Sequence, residues 1–452
     1  MQFQPCFGLA ILVIINTINF LDRLSIPPVL TEIKKFYDFS GTQSGLLSTC
    51  FLLGYMLTSP VFGYLGDKYS RKWILVGGIL FWCVAAFSGS IISKAYYPLF
   101  FLSRILVGVG EACYSTIAPT IIADLFGPDT RKIALSIFYF AIPIGSGLGF
   151  LMGNLALSLG DWRYIFWITP AIGLLSTGLL LILEEPVRGQ SDGASVQEAD
   201  NSTIMENIRY LAGIKSYVWA TIGFTCCLFA MGALSWWGIN FFGVAVGEQY
   251  EKEATIIFGI IVCLAGFCGV SIGSSAAKYL RNYDGRADPF VCAAGVFIAV
   301  PFTFFGLVFA RSQTSLSWVC LFLSVTALST NWAVVSDMLL SVTLPTKRAF
   351  ATSIQILLSH LFGDATSPFI TGFLRDTIKG DSKDPDDDYL AFLYSLLSTL
   401  ILLTLGAVAF LYSAKYFVQD VEAYKQRLSK RAVSDETTRS DAANLTDFAA
   451  MP

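Results

Sequence analysis

Apolar stretches of spanning length recur along the chain, near 7–30, 43–66, 73–93, 99–126, 133–157, 163–183, 216–246, 254–277, 287–310, 315–343, 349–374 and 388–414. A membrane-crossing helix needs about 20 mostly apolar residues. The pattern therefore predicts an all-α integral membrane protein with twelve transmembrane helices. The longest polar interruption between spans, 184–214, divides them into two six-helix halves, 1–183 and 215–415. The tail, 416–452, is charged and rich in Ser, Thr and Asp, which predicts disorder beyond an amphipathic start. An even number of spans puts both termini on one side. Lys and Arg gather in the loops after even-numbered spans, as at Lys68, Arg71, Lys72, Arg131, Lys132, Lys347 and Arg348, which predicts that this side is cytosolic.

The first span is short. Its apolar run, Phe7 to Leu21, would cover only about 22 Å of a ~30 Å hydrocarbon core. The helix must continue through Asp22 and Arg23 to about Leu30, with a kink expected at Pro27-Pro28. Asp22 then lies inside the membrane; the alternative is a shorter helix with Asp22 and Arg23 at the interface. The fourth span, Leu99 to Phe126, carries Arg104 and Glu111 in its interior. A charge at mid-bilayer costs at least ~2.5 kcal/mol, so such residues mark transport paths, proton relays or structural ion pairs. Seven residues apart, they share one helical face, which Gly108 and Gly110 clear for another helix or a ligand. Their mutual attraction predicts that protonating Glu111 frees Arg104 to bind an anion.

Composition agrees with a membrane protein: 54% of residues are hydrophobic and 14% charged, against about 25% charge in soluble domains. The ten cysteines fall in apolar runs and read as packing residues, not as disulfides or a metal site. No cofactor motif is present, and no nucleic-acid partner is expected. Gly145, Gly147, Gly149 and Gly153 crowd around Pro143 and predict tight packing between the halves. The eleventh span carries His360, the sole histidine, and Asp364 four residues on. They can form a pH-sensitive pair, a buried structural pair, or, through an H-x-x-x-D pattern, an acyltransferase site.

Between the second and third spans, Gly63, Asp67, Arg71 and Lys72 complete G-x-x-x-D-x-x-x-R-K, the loop signature of the major facilitator superfamily. Asp67 can face a helix N-terminus, and Arg71 can reach an acid on a neighbouring helix. An internal repeat supports two related halves. Asp124 precedes Arg131-Lys132, and Asp337 precedes Lys347-Arg348, at corresponding places. The second half has only a degraded loop signature, Gly273 to Arg286, which predicts a weaker gate there.

RILVGVGEACYSTIAPTIIADLF, SIFYFAIPIGSGLGF, NWAVVSDMLL and LLSHLFGDATSPFITG resemble the Spinster family of that superfamily, over about Asn19 to Leu411. The resemblance implies a secondary transporter of single-chain lipids, lysophospholipids or sphingosine-phosphate-like sphingolipids, that is proton-linked and works by alternating access. It implies Asp22, Arg104 and Glu111 as proton and substrate residues in a central cavity. It implies Asp67, Arg71 and Asp124 as the cytosolic gate, with Asp337 their counterpart by the repeat. Tyr114, Ser115, His360 and Asp364 complete the candidate substrate and proton contacts. A monomer in the late endosomal or lysosomal membrane is expected, with the plasma membrane as alternative. The competing functions are transport of a small polar solute or organic anion, a membrane acyl-lipid enzyme using His360 and Asp364, and a non-transporting sensor.

Overall fold

The computed structural model describes residues 3–39, 41–189, 191, 202–247, 250–380, 382 and 384–449. Helix follows helix: α1 Phe3–Tyr37, α2 Gly41–Lys68, α3 Arg71–Ile91, α4 Tyr97–Leu125, α5 Pro128–Tyr139, α6 Ala141–Ser158 and α7 Ile165–Ile182. A short helix, α8 Ile204–Ala212, precedes α9 Lys215–Val246, α10 Glu251–Leu280, α11 Ala287–Val308, α12 Thr314–Ser329 and α13 Asn331–Val342. The chain closes with α14 Arg348–Ser359, α15 Ser367–Lys379, α16 Pro385–Leu397 and α17 Thr399–Ala449. Positions 190 and 192–201 of the linker lie outside the described residues. Helices α1 to α7 pack on one another, as do α9 to α17. The two sets meet along a seam of α2 on α14, α5 on α10 and α13, and α6 on α10.

Among the described residues, eleven segments are long and apolar enough to cross a membrane. The expected eleventh crossing, 349–374, is not among them, and it is interrupted midway. A π-type turn, His360–Asp364, separates α14 from α15, and Gly363 leaves helical geometry at φ −99°, ψ −108°. A Cβ at Gly363 would stand 2.9 Å from the Leu228 side chain, so the break seats the backbone tightly on α9. Crossings five, ten and twelve also divide, at Phe140, Thr330 and Ser398. The first crossing, by contrast, is one helix through Pro27-Pro28 to Tyr37, which places Asp22 and Arg23 well inside it. The last helix, α17, runs on past the membrane-spanning stretch. In the amphipathic start of the tail, Tyr424 and Leu428 pack against Leu344.

The glycines pack helices within a half more than between halves. Around Pro143, Gly145 and Gly149 face the backbone of Thr17 and Leu21 on α1 while Gly147 looks across to Cys263, and elsewhere Gly63 meets Ser353 and Ala349 of α14 across the seam. Gly108 and Gly110 likewise admit helices, not a ligand. A Cβ at Gly108 would collide with the Phe51 and Tyr55 backbone on α2, and one at Gly110 would stand 2.6 Å from Trp82 Cβ on α3. Gly108→Val must therefore part α2 from α4, and overpacking of this kind costs roughly 1–3 kcal/mol or more. A lower thermal midpoint of the purified protein is expected, and Ser115→Ala, which adds no bulk, serves as the control.

Candidate functional site

On the side where α2 ends and α5 begins, buried charges close the seam. Asp67 accepts the Ala349 and Phe350 N–H groups, at 3.0 and 2.8 Å, in the first turn of α14. This joins the halves through a helix N-terminus, where backbone donors lack partners of their own. Arg71 holds Asp124 at 2.7 Å inside its own half, and Arg348 reaches the same carboxylate from the other half at 3.3 Å. The repeat makes the reverse exchange. Arg281 holds Asp337 within its half at 2.9 Å, and Arg131 comes across to it at 2.6 Å. Each repeated acid thus takes one arginine from its own half and one from the other.

The second copy of the loop signature is less depleted than its sequence suggested. Ala277 stands where Asp67 would be, four residues before Arg281. Arg281 keeps its pair, and Asp288 binds both Arg281 and Lys132. The linker also clasps the first copy. Glu185 accepts the Arg71 N–H at 2.7 Å, Arg188 donates to the Gly66 and Tyr69 carbonyls, and the Gly189 N–H reaches Asp124 at 2.9 Å. Arg188 lies outside the spans, and burial pulls its guanidinium below the usual arginine range.

Beyond this lock lies a cavity of about 360 Å³ between the halves. Arg23, Tyr55, Ser115, Gln355, His360 and Asp364 supply its polar wall. The Arg23 side chain is 21% exposed and sits on Glu111, which is 1% exposed, at 3.0 Å. Three rings, Phe20, Phe51 and Tyr55, face its guanidinium at 4.7–5.1 Å. His360 Nδ1 lies 2.9 Å from both Asp364 oxygens, and its ring meets Tyr55 edge-on. An apolar cleft of about 90 Å³, with Pro143, Phe258, Val262 and Gly266 in its wall, shares Tyr139, Ile142, Ser235 and Trp332 with the cavity.

Several expected cavity residues stand behind this wall. Asp22 accepts the Thr169 hydroxyl at 2.6 Å and the Trp82 ring N–H at 3.4 Å, and lies 3.7 Å from Arg104. These contacts tie α1 to α3, α4 and α7. Arg104 is buried over the Phe166 ring, and Tyr114 donates to the Leu12 carbonyl. The expected Arg104–Glu111 couple is therefore divided into two pairs, Arg104 with Asp22 and Arg23 with Glu111. Arg23 is the functional candidate that the sequence reading passed over. Its neighbour Asp22 drew attention as the acid, yet consecutive helical residues point about 100° apart, so only one of them could face the cavity. Among the described residues, no three His, Cys, Asp or Glu side chains gather as a metal ion would need. Arg23 Nε, Arg104 Nε and Glu111 Oε1 have no hydrogen-bond partner among the described residues, so the region retains capacity for further polar contacts.

The Major Facilitator Superfamily model matches residues 12–376. Protein spinster homolog 1 of Rattus norvegicus is 40% identical over 447 residues, covering 95% of this chain and 84% of that protein. A sphingosine-1-phosphate transporter of Xenopus tropicalis is 40% identical, covering 90% of this chain and 81% of its own. Among solved structures, an inward-facing bacterial homologue of the human lysosomal transporter Spinster is 20% identical at a TM-score of 0.63, covering 93% and 99% of the two chains. The transporter FucP, in its outward conformation, is 16% identical at 0.71, covering 90% and 98%.

The lock makes a prediction independent of substrate. A hydrogen bond to a charged group contributes about 1.5–3 kcal/mol, and Asp67 accepts two across the seam. In Asp67→Asn the anion is lost and the closed form should lose population roughly 10- to 100-fold relative to the open one. Spin labels at positions 130 and 286, on opposite halves, should report a longer mean distance. An unchanged distance distribution would show that Asp67 does not hold the seam.

Proposed function

This chain belongs to the Spinster family of the Major Facilitator Superfamily, and from that premise we propose that it is a secondary active transporter of single-chain lipids, lysophospholipid or sphingosine-phosphate-like in class. The observation that carries the reading is the join of a cationic cavity wall at Arg23 to an apolar cleft between α5, α6, α9 and α10. An amphiphile with an anionic or zwitterionic head and one acyl chain needs that pairing of surfaces. The Xenopus relative carries a lipid of that class in its name. A small polar solute would gain nothing from the cleft. Members of this family are transporters, not enzymes, so His360 and Asp364 belong to a transport cavity.

In this mechanism Arg23 takes the role first expected of Arg104. A guanidinium presents a planar fork that suits a phosphate, and its aromatic surround keeps water from the bond. Glu111 holds Arg23 while ionised. Protonating Glu111 removes its charge and frees Arg23 for the headgroup, so proton and lipid are linked through one carboxylate. Asp22 and Arg104 keep the α1 backbone in place behind Arg23. Asp67, Arg71, Asp124 and Asp337 form the cytosolic gate, which is closed here. The termini are cytosolic, on the side of the basic loops. The late endosomal or lysosomal membrane is the proposed site, with the plasma membrane as the alternative.

Reconstituted flux of a labelled lysolipid, with and without a pH gradient, tests the reading. Arg23→Ala should weaken binding of an anionic lysolipid roughly 10- to 100-fold, the loss of one charge-assisted contact of about 1.5–3 kcal/mol. Glu111→Gln should bind lipid but no longer respond to the gradient. Full gradient-driven transport by Glu111→Gln would move the proton site elsewhere, with Asp22 first in line. His360→Ala should alter the pH profile yet leave measurable flux. An altered lipid product that vanishes in this variant would instead restore the enzyme reading.

A further inference from the structure

Helix α8 divides into three sectors. Its N-terminus is closed by a reciprocal cap, in which Thr203 Oγ1 accepts the Glu206 N–H and Glu206 accepts the Thr203 N–H. One sector docks on the second half. Asn207 and Leu211 are buried, Lys347 donates to the Asn207 side chain, and the Leu344 N–H reaches the Tyr210 hydroxyl at 3.3 Å. A second sector is apolar and uncovered: Ile204, Met205 and Ile208 are 51%, 65% and 41% exposed. At about 100° per residue they span a sector roughly 100° wide, beside the docked one. The third sector, Glu206 and Arg209, is polar and exposed.

We propose that Ile204, Met205 and Ile208 insert into the membrane leaflet on the linker side, making α8 an interfacial anchor on anionic lipid. Position supports that occupant over a protein partner. Only Gly213 and Ile214 separate α8 from α9, a membrane-spanning helix that starts at Lys215, so α8 lies at the depth where the slab begins. Ile222, two turns into α9, is exposed as well. Charge is complementary as well. Lys215 and Lys415 are both exposed and stand 5.0 and 5.6 Å over one ring, Tyr416, where α17 passes the start of α9. Helices with an apolar sector and basic flanks settle about 5–10 Å into the headgroup boundary. The docked sector then fixes the Leu344–Arg348 segment, and with it the Arg348 side of the lock, at a set height relative to the headgroups. The anchor needs only a membrane protein and does not depend on which substrate is carried.

The test uses the full chain in vesicles of phosphatidylcholine and phosphatidylserine, with a fluorescent amino acid incorporated at position 205 and, separately, at position 222. Lipids brominated near the glycerol end of the acyl chain should quench the probe at 205, and lipids brominated near the chain terminus should not. The probe at 222 should be quenched by lipid and shows that the assay reads membrane contact. No quenching at 205 while 222 is quenched overturns the proposal. So does stronger quenching at 205 by the deeply brominated lipid, which would place α8 in the slab and not at its boundary.

Discussion

Reciprocal exchange of arginines is the constraint on which the closed structure depends. Asp124 and Asp337 are completely buried, and a buried carboxylate is tolerable only when cations and donors satisfy it. Each draws one arginine from its own half, which holds the acid in place. Each then draws a second from the opposite half, which holds the seam shut. Removing one partner of a buried pair costs about 3–5 kcal/mol, because the remaining charge is stranded. Separating the halves is less costly than that figure suggests. Opening admits water to both faces, and the own-half arginines Arg71 and Arg281 stay with their acids. The lock is therefore specific about which surfaces meet and moderate in net strength, as a seam that must part in each cycle requires.

Much of this was legible in the chain. Span length predicted twelve crossings, with which the eleven spanning segments among the described residues are consistent, and the recurrence of an acid before a basic pair pointed to the charges that meet in the seam. What the recurrence could not convey is that the pairs cross over: Arg131 bonds Asp337 and Arg348 bonds Asp124, at sequence separations only folding can close. The cavity was less legible for a geometric reason. Arg104 and Glu111 do share a face of α4, as their spacing requires. What meets that face is α1, whose Asp22 and Arg23 diverge and divide the two charges between them. Glycines were also ambiguous, since Gly108 invites a helix or a ligand equally, and only the position of α2 decides.

The two buried pairs of the first half differ in kind because their surroundings differ. Asp22 has a hydroxyl and an indole N–H besides Arg104, and its ties run to three helices, as suits a fixed scaffold. Glu111 has Arg23 at one oxygen and no hydrogen-bond partner at the other among the described residues, and Arg23 is the member that reaches the cavity. Pairs that can be reached and left half-satisfied are the ones that a ligand can rearrange.

The break at His360–Asp364 bears on leakage. Asp67 grips the first turn of α14, below the break, while α15 lies beyond it. A continuous helix would transmit any tilt of its outer end to that grip, so the two ends of the pathway would have to move together. An interrupted one lets the outer segment bend over a loaded cavity while the inner end stays seated. Both doors can then be shut at once, and a passenger is enclosed before either side is released. Without such an intermediate, each turnover would briefly join two compartments through a water-filled pore.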